Sequence, residues 1–300
     1  MGTPEFAVPS LEAAAEAHDV ALVVTQPDRP AGRGKKLTAP PVKARALELL
    51  LDVYQPEKIR EDEAWTRLEA IRPDVVVVVG YGQFIPKRIL ELPRHGCVNV
   101  HSSLLPKYRG AAPANWAIAR GETVSGVSTM RLVPKMDAGD VLLQREIKIG
   151  PEETAAELNA RLAPVGADLL LETLAGLEAG SFEPQAQDES AVTFAPLMKR
   201  EDGEIDWTMG AGEILNRMRG FDPWPGAYTS RGGKRLHVRR ASVSEKDLGP
   251  GEIRIDGDRL WVGTGEGSLE ALEVQPEGKK RMSASDFVRG YRPEDGEVWG

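Results

Sequence analysis

The sequence predicts an α/β domain with a mostly parallel sheet, followed by a small all-β barrel. Three observations carry this reading. Five consecutive valines at 75–79, bounded by Pro73 and Gly80, suit a strand buried on both faces, as in a parallel sheet. Strand-like and helical stretches alternate up to about residue 180, the pattern of α/β domains. From about residue 205 the pieces become short, strand-like and punctuated by glycine turns, which suits a small barrel.

Taken in order, "GTPEFAVP" reads as a loop and a helix start. Val20 to Thr25 in "HDVALVVTQPD" is a buried strand, the valine run is a second, and "GCVNVHSS" is a third. "SGVSTMRLVPKMDAGDVLLQREIKI" reads as strand, turn, strand. Helical patterns cover roughly Ser10–Ala17, Val42–Leu50, Glu63–Ile71, Ala114–Ala119 and Thr154–Glu178. The expected organisation is one domain over 1–180, a polar linker over 181–204 and a barrel over 205–300, with turns at Gly232-Gly233, Asp256-Gly257 and Gly265.

Length and composition bound the function. At 300 residues the chain suits about two domains and can bury a full core without staples. Its single cysteine, Cys97, rules out an intramolecular disulfide and fits a reducing, cytoplasmic setting. No basic segment followed by an apolar run opens the sequence, so no secretory leader is expected. The longest apolar runs are too short to span a membrane. A net charge of −8 argues against a nonspecific nucleic-acid binder, so any such contact must come from local patches.

Chemistry concentrates in "VNVHSSLLPKYRG", residues 98–110. Side chains alternate faces along a strand, so Asn99 and His101 point the same way. Ligands of open α/β sheets bind beyond the carboxyl ends of strands, and an amide donor with an imidazole there can reach one oxygen. Asp137 in "KMDAGD" is the best candidate to set the histidine's charge and tautomer. Spacing alone equally suits a satisfied strand-end histidine and a plain turn aspartate. Leu104 and Leu105 before Pro106 suit either an apolar slot for a flat ligand or a packing loop.

Other motifs fail. After Gly80-Tyr81-Gly82, a dinucleotide fingerprint needs its third glycine where Ile85 stands. "AGRGKK" lacks a phosphate loop's first glycine, because Arg29 holds that position. Four scattered histidines and one cysteine offer no metal-ligand spacing, and no nucleophile elbow is present. Two basic windows stand out. Residues 29–45 hold six basic and no acidic residues. Residues 228–246 hold six basic residues against Glu245 alone, with Lys279-Lys280-Arg281 following. Either window suits a polyanion or a solvated surface.

Together, "GTPEFAVPSL", "TQPDRPAGRGKKL", "VVVGYGQFIPKRIL", "NVHSSLLPKYRGAAP", "MDAGD", "FDPWPGAY" and "LEVQPEGKKRMSA" resemble the bacterial methionyl-tRNA formyltransferases over nearly the whole chain. The Asn-x-His, SLLP and Asp-x-Gly set is shared by folate-dependent formyltransferases generally. "QPDRPAGRGKK", "PWPGAY" and "QPEGKKRM" are specific to the tRNA enzymes. The resemblance implies a Rossmann-like sheet with helices on both faces and a C-terminal OB-like barrel. It implies transfer of a formyl group from 10-formyltetrahydrofolate to the α-amine of methionyl initiator tRNA, without a metal, by a cytoplasmic monomer. Matched motif by motif, Asn99, His101 and Asp137 look like the catalytic trio. Ser103, Leu104, Leu105 and Pro106, with Tyr81, Gly82, Phe84 and Ile85, look like the folate site. Arg29, Arg33, Lys35, Lys36 and Lys43 look like the tRNA-entering loop. Lys234, Arg235, Arg239, Lys279 and Lys280 look like a second tRNA surface. One departure is that the family carries a β-strand immediately before "GTP", where this chain has only Met1. A related formyltransferase of sugar nucleotides or purine precursors, a formyltetrahydrofolate hydrolase, and an RNA-binding module on an inactive scaffold are the competing readings. The basic loop and barrel argue against the first two, and the intact Asn-His-Asp set against the last.

Overall fold

The computed structural model describes residues 1–31, 34 and 36–300. The chain divides into two compact units that interleave along the sequence. The first holds Met1–Pro113, Val124–Lys148 and Leu158–Pro196; the second holds Ala114–Thr123, Ile149–Glu157 and Leu197–Gly300.

In the first unit, α1 (Val8–Ala17) is followed by β1 (Val23–Val24), a hairpin of β2 (Arg29–Ala31) and β3 (Lys36–Thr38), α2 (Pro41–Glu48) and β4 (Val53–Tyr54). Next come α3 (Asp62–Ile71), β5 (Val76–Val78), α4 (Lys87–Leu90), β6 (Cys97–His101) and β7 (Arg109–Gly110). After α5 (Pro113–Ala119), which lies almost wholly in the second unit, come β8 (Val124–Arg131), β9 (Val141–Lys148), α6 (Ala155–Ala179) and β10 (Phe194–Ala195). A four-stranded sheet runs β5-β6-β8-β9, and β1 pairs with β4 beside it.

The pairs β1–β4 and β5–β6 are parallel, as helical crossovers require. On the far side β6–β8 and β8–β9 are antiparallel, and only residues 132–140 join β8 to β9, too few for a crossover. All five residues of β6 are buried, so Cys97, Val98 and Val100 anchor the strand while its polar members stand at its end. Val76, Val78, Cys97, Ile85, Ile89 and Leu68 share one core cluster.

The first two residues sit between β1 and β5. Gly2 N–H donates to Val24 O at 3.0 Å, and Val79 N–H donates to Met1 O at 2.9 Å. The amino-terminal ammonium donates to Val77 O at 2.6 Å, and burial pushes its pKa down to about 6. Met1 and Gly2 thus bridge the two half-sheets at the position expected to lack a strand. A cavity of about 460 Å³ extends from there, lined by Val23, Val24, Val75, Val76, Val77 and Leu174 among others.

The second unit carries α7 (Ala211–Gly220), then β11 (Tyr228–Arg231), β12 (Lys234–Ser244), β13 (Ile253–Asp256), β14 (Arg259–Gly263), β15 (Ser268–Pro276), β16 (Met282–Ser283) and α8 (Ala284–Tyr291). Its sheet is antiparallel throughout, ordered β11-β12-β15-β14-β13 with β16 on β15. Gly232 and Gly233 both take positive φ, as the tight β11–β12 turn demands. Two helices stand where sequence patterning suggested strands alone. In α7, Ala211, Ile214 and Met218 recur at helical spacing and are buried. In α8, Ser283 caps the start by accepting from Asp286 N–H, and Phe287 is buried. Within this unit α5 packs on α7: Asn115 donates to Gly220 O at 2.8 Å, and the Trp116 and Phe221 rings meet edge to face at 5.3 Å.

Candidate active site

β6 ends at His101, and its parallel register with β5 pairs Val78 with Asn99. The residues after β5, Gly80 to Ile85, therefore leave the same carboxyl edge as His101. Asn99 is 8% exposed and His101 5%. Opposite, Ser128 of β8 pairs with His101.

The histidine's tautomer follows from its partner. His101 Nε2 lies 2.9 Å from Tyr108 O. A carbonyl only accepts, so Nε2 carries a proton. Nδ1 is then the nitrogen that gains or loses one, and it faces Asp137 Oδ2 at 3.9 Å. Asp137, with a side chain 14% exposed, also accepts from Gly110 N–H through the same oxygen at 2.8 Å. Its backbone sits at φ +48, a left-handed conformation that costs an L-residue about 1–2 kcal/mol and that aspartate tolerates better than most. Gly139, two residues on, has no room for a Cβ, which would run into Arg131 O. The Asp-x-Gly spacing is thus a steric demand of this turn.

The loop after β6 is held by side chains reaching from β8 and β9. Ser128 Oγ donates to Ser103 O at 2.6 Å and accepts from Leu105 N–H at 3.0 Å. Gln144 Nε2 donates to Leu105 O at 2.9 Å and to Ser128 Oγ at 2.8 Å. Ser103 Oγ donates to Lys107 O at 2.6 Å, and the Leu105–Pro106 peptide is cis. Tyr108, at φ +62, donates its N–H to Thr193 Oγ1. β10 pairs with β7 immediately after, so residues 193–195 brace the strand that carries Arg109.

The residues expected to hold folate divide into two kinds. Tyr81, Ile85 and Leu105 turn their side chains into the core, at 1%, 7% and 4% exposed, so they act as framework of the loop ends rather than as side-chain contacts. Burial pushes the Tyr81 hydroxyl up to about 12, and its carbonyl accepts from Thr3 and Gln26. Phe84, in contrast, is 69% exposed. Gly82 takes φ +84 between them.

Of the expected nucleic-acid residues, Arg33 and Lys35 lie outside the described residues. Arg29 and Lys36 are exposed on β2 and β3. Lys43 is not a free charge: its ammonium sits 2.7 Å from Asp28. In the second unit Lys234, Lys279 and Lys280 are exposed, and Arg235 stacks over the Tyr228 ring at 4.2 Å. Gln275 joins them, accepting from the Arg239 guanidinium at 2.9 and 3.0 Å and donating to Lys279 O. Burial and the neighbouring Arg281 pull the Arg239 pKa down. Trp224 is exposed on the same unit.

Sequence reasoning missed Arg109, Gln187 and Glu189. Arg109 is 1% exposed, donates to Gln187 Oε1 and to Glu189 Oε1, and no local pattern marks it. Among the described residues no cluster of three or more His, Cys, Asp or Glu could hold a metal, and no helix is long and apolar enough to cross a membrane.

Residues 2–174 match the formyl transferase family and residues 197–292 the formyl transferase C-terminal domain. The methionyl-tRNA formyltransferase of Acidobacterium capsulatum is 56% identical over 96% of this chain and 94% of its own. That of Koribacter versatilis is 55% identical over 100% and 97%. Among solved structures, an N-formyltransferase from Helicobacter canadensis, in complex with folinic acid and dTDP-3-aminofucose, is 17% identical. It superposes with a TM-score of 0.66 over 92% of this chain and 97% of its own. HypX from Aquifex aeolicus with tetrahydrofolic acid, 21% identical, gives 0.59 over 85% and 48%. This chain belongs to the methionyl-tRNA formyltransferase family.

Proposed function

We propose that the chain transfers a formyl group from 10-formyltetrahydrofolate to the α-amine of methionine carried by initiator tRNA, as a step of translation initiation. The observation that carries this reading is the buried Asn99, His101 and Asp137 arrangement at a sheet edge, in a chain alike over its full length to enzymes of that name.

Exposed Phe84 beside positive-φ Gly82 fits a flat folate ring, with Leu104 and the backbone of Ser103–Pro106 as the opposite wall. The folate supplies an activated formyl carbon. Asn99 donates to the oxygen on which negative charge builds, and His101 donates from Nδ1 when protonated. Preorganised donors of this kind act without solvent reorganisation. Asp137 holds the imidazolium by its charge and accepts the proton that the attacking amine must lose. As the new C–N bond forms and the old one breaks, that proton passes to the departing folate nitrogen, so charge and atoms balance. The amine is itself the nucleophile, which explains why no activated serine or cysteine is needed.

The exposed Arg29 and Lys36 of the β2–β3 hairpin, and the basic residues Lys234, Arg235 and Arg239 of β12 with Lys279 and Lys280 in the turn after β15, support tRNA as the amine's carrier. The test is formyl transfer from 10-formyltetrahydrofolate to methionyl initiator tRNA, run beside methionyl elongator tRNA. Rapid, initiator-selective transfer is expected. Transfer to a nucleotide-linked amino sugar instead would overturn the reading.

A further inference from the structure

Gln187 lies in the polar stretch after α6, 50 residues from Asp137 in sequence. An antiparallel bridge between Gln185 and Val141 brings it to the β8–β9 connection. There its amide nitrogen donates to two carbonyls that flank the turn, Asp137 O at 2.8 Å and Gly139 O at 2.7 Å. Its amide oxygen accepts from Arg109 Nε at 3.0 Å and Nη2 at 2.9 Å. The amide can point only this way, because carbonyls only accept and a guanidinium only donates. Arg109 is itself fixed: it is 1% exposed, and Nη2 also donates to Glu189 Oε1 at 2.9 Å. Glu189 reaches on to Lys135 at 2.8 Å, two residues before Asp137. The neighbour of Arg109, Gly110, donates its N–H directly to the Asp137 carboxylate.

We infer that Gln187, locked by Arg109, is a positioning residue that sets where the Asp137 carboxylate stands relative to His101. The inference deepens the proposed reading of the site and rests on it. Asp137 occupies a left-handed backbone conformation that the turn alone does not favour. Both carbonyls around it are held by one side-chain amide. Both polar atoms of the Gln187 side chain therefore have partners, and both amide N–H groups point at the turn that carries the carboxylate. Losing them frees the turn to relax, and displacements of about 1 Å at a reacting group can cost about a hundredfold in rate.

The experiment compares steady-state kinetics of wild type, Gln187→Met, Gln187→Glu, Asp137→Asn and the double variant Gln187→Met with Asp137→Asn. Thermal melts verify that each folds. Methionine keeps the length and loses the hydrogen bonds. Glutamate keeps the acceptor facing Arg109 but sets a carboxylate against two carbonyls. The expected result is a kcat about tenfold lower or worse in Gln187→Met, lower still in Gln187→Glu, with KM for folate and tRNA within about twofold of wild type. In the Asp137→Asn background, Gln187→Met should cost less than about twofold more, since residues acting as a unit are not additive. An unchanged kcat in Gln187→Met overturns the inference. So does an equal fold-loss in the Asp137→Asn background, which marks general structural support. Should Asp137→Asn keep full activity, the reading of the site itself falls, a result distinguishable from either.

Discussion

Asn99, His101 and Asp137 in the first unit are 8%, 5% and 14% exposed, and hydrogen bonds hold His101 Nε2, Asp137 Oδ2 and the loop after β6. Lys234, Lys279 and Lys280 in the second unit are exposed on a β-hairpin and a turn. The difference fits the two tasks proposed for these regions. Stabilising charge on one atom needs low dielectric and donors already in place. Holding a long polyanion needs several cations that share the load and exchange their counterions for phosphate. A single substitution should therefore act very differently in the two regions.

The sharpest way to break that contrast is at the strand end. His101→Ala should lower kcat by about 10²–10³, the usual cost of one lost transition-state donor, and Asp137→Asn by about 10²–10⁴, that of a lost proton acceptor, while KM for tRNA moves little. A kcat loss under threefold, in steady-state assays at saturating substrates, would make the buried site no more concentrated than the basic face. Next in size, replacing Lys234, Arg235, Arg239 and Lys279 by Gln should raise KM for tRNA and leave KM for folate unchanged. The slope of log affinity against log salt should fall by roughly 0.9 for each phosphate left without its cation. An unchanged salt slope would show that these cations face solvent only. Lys36→Ala alone should cost a few-fold in kcat/KM for tRNA, about 1 kcal/mol.

The smallest effect concerns stability. Lys135 and Arg109 hold the Glu189 carboxyl well below its usual range, down to about 2. A depressed carboxyl stabilises the fold above its ordinary value of 4.5, and that contribution disappears as pH falls toward 2. The melting-temperature gap between wild type and Glu189→Gln should thus be open at pH 6 and narrow below about pH 4.5. Melts from pH 6 to 3 that show a constant gap would refute it.

How much was readable from the sequence varies with the range of the interactions. The valine run and the Asn99–His101 alternation were legible because strand periodicity is local. Asp137 was legible through its Asp-x-Gly turn, which the close approach of Gly139 to Arg131 now explains. Gln187 was not, because its meaning lies in carbonyls about 50 residues away. Lys43 read as available charge because its partner, Asp28, lies 15 residues back. In α7 the helical spacing of Ala211, Ile214 and Met218 was present in the sequence, but short strands on either side masked it. The core-facing side chains of Tyr81 and Ile85 likewise became visible only once β5 was packed.

Cys97 gives the first unit a built-in reporter. The thiol lies 2% exposed at the start of β6, four residues before His101. Burial pushes its pKa up to about 12, so at neutral pH it holds almost no thiolate and resists alkylation while the sheet is closed. Labelling proceeds only through opening, and the alkylation rate of this one sulfur measures how often the strand that carries Asn99 and His101 comes undone. No engineered probe is needed, because the sequence contains no second thiol.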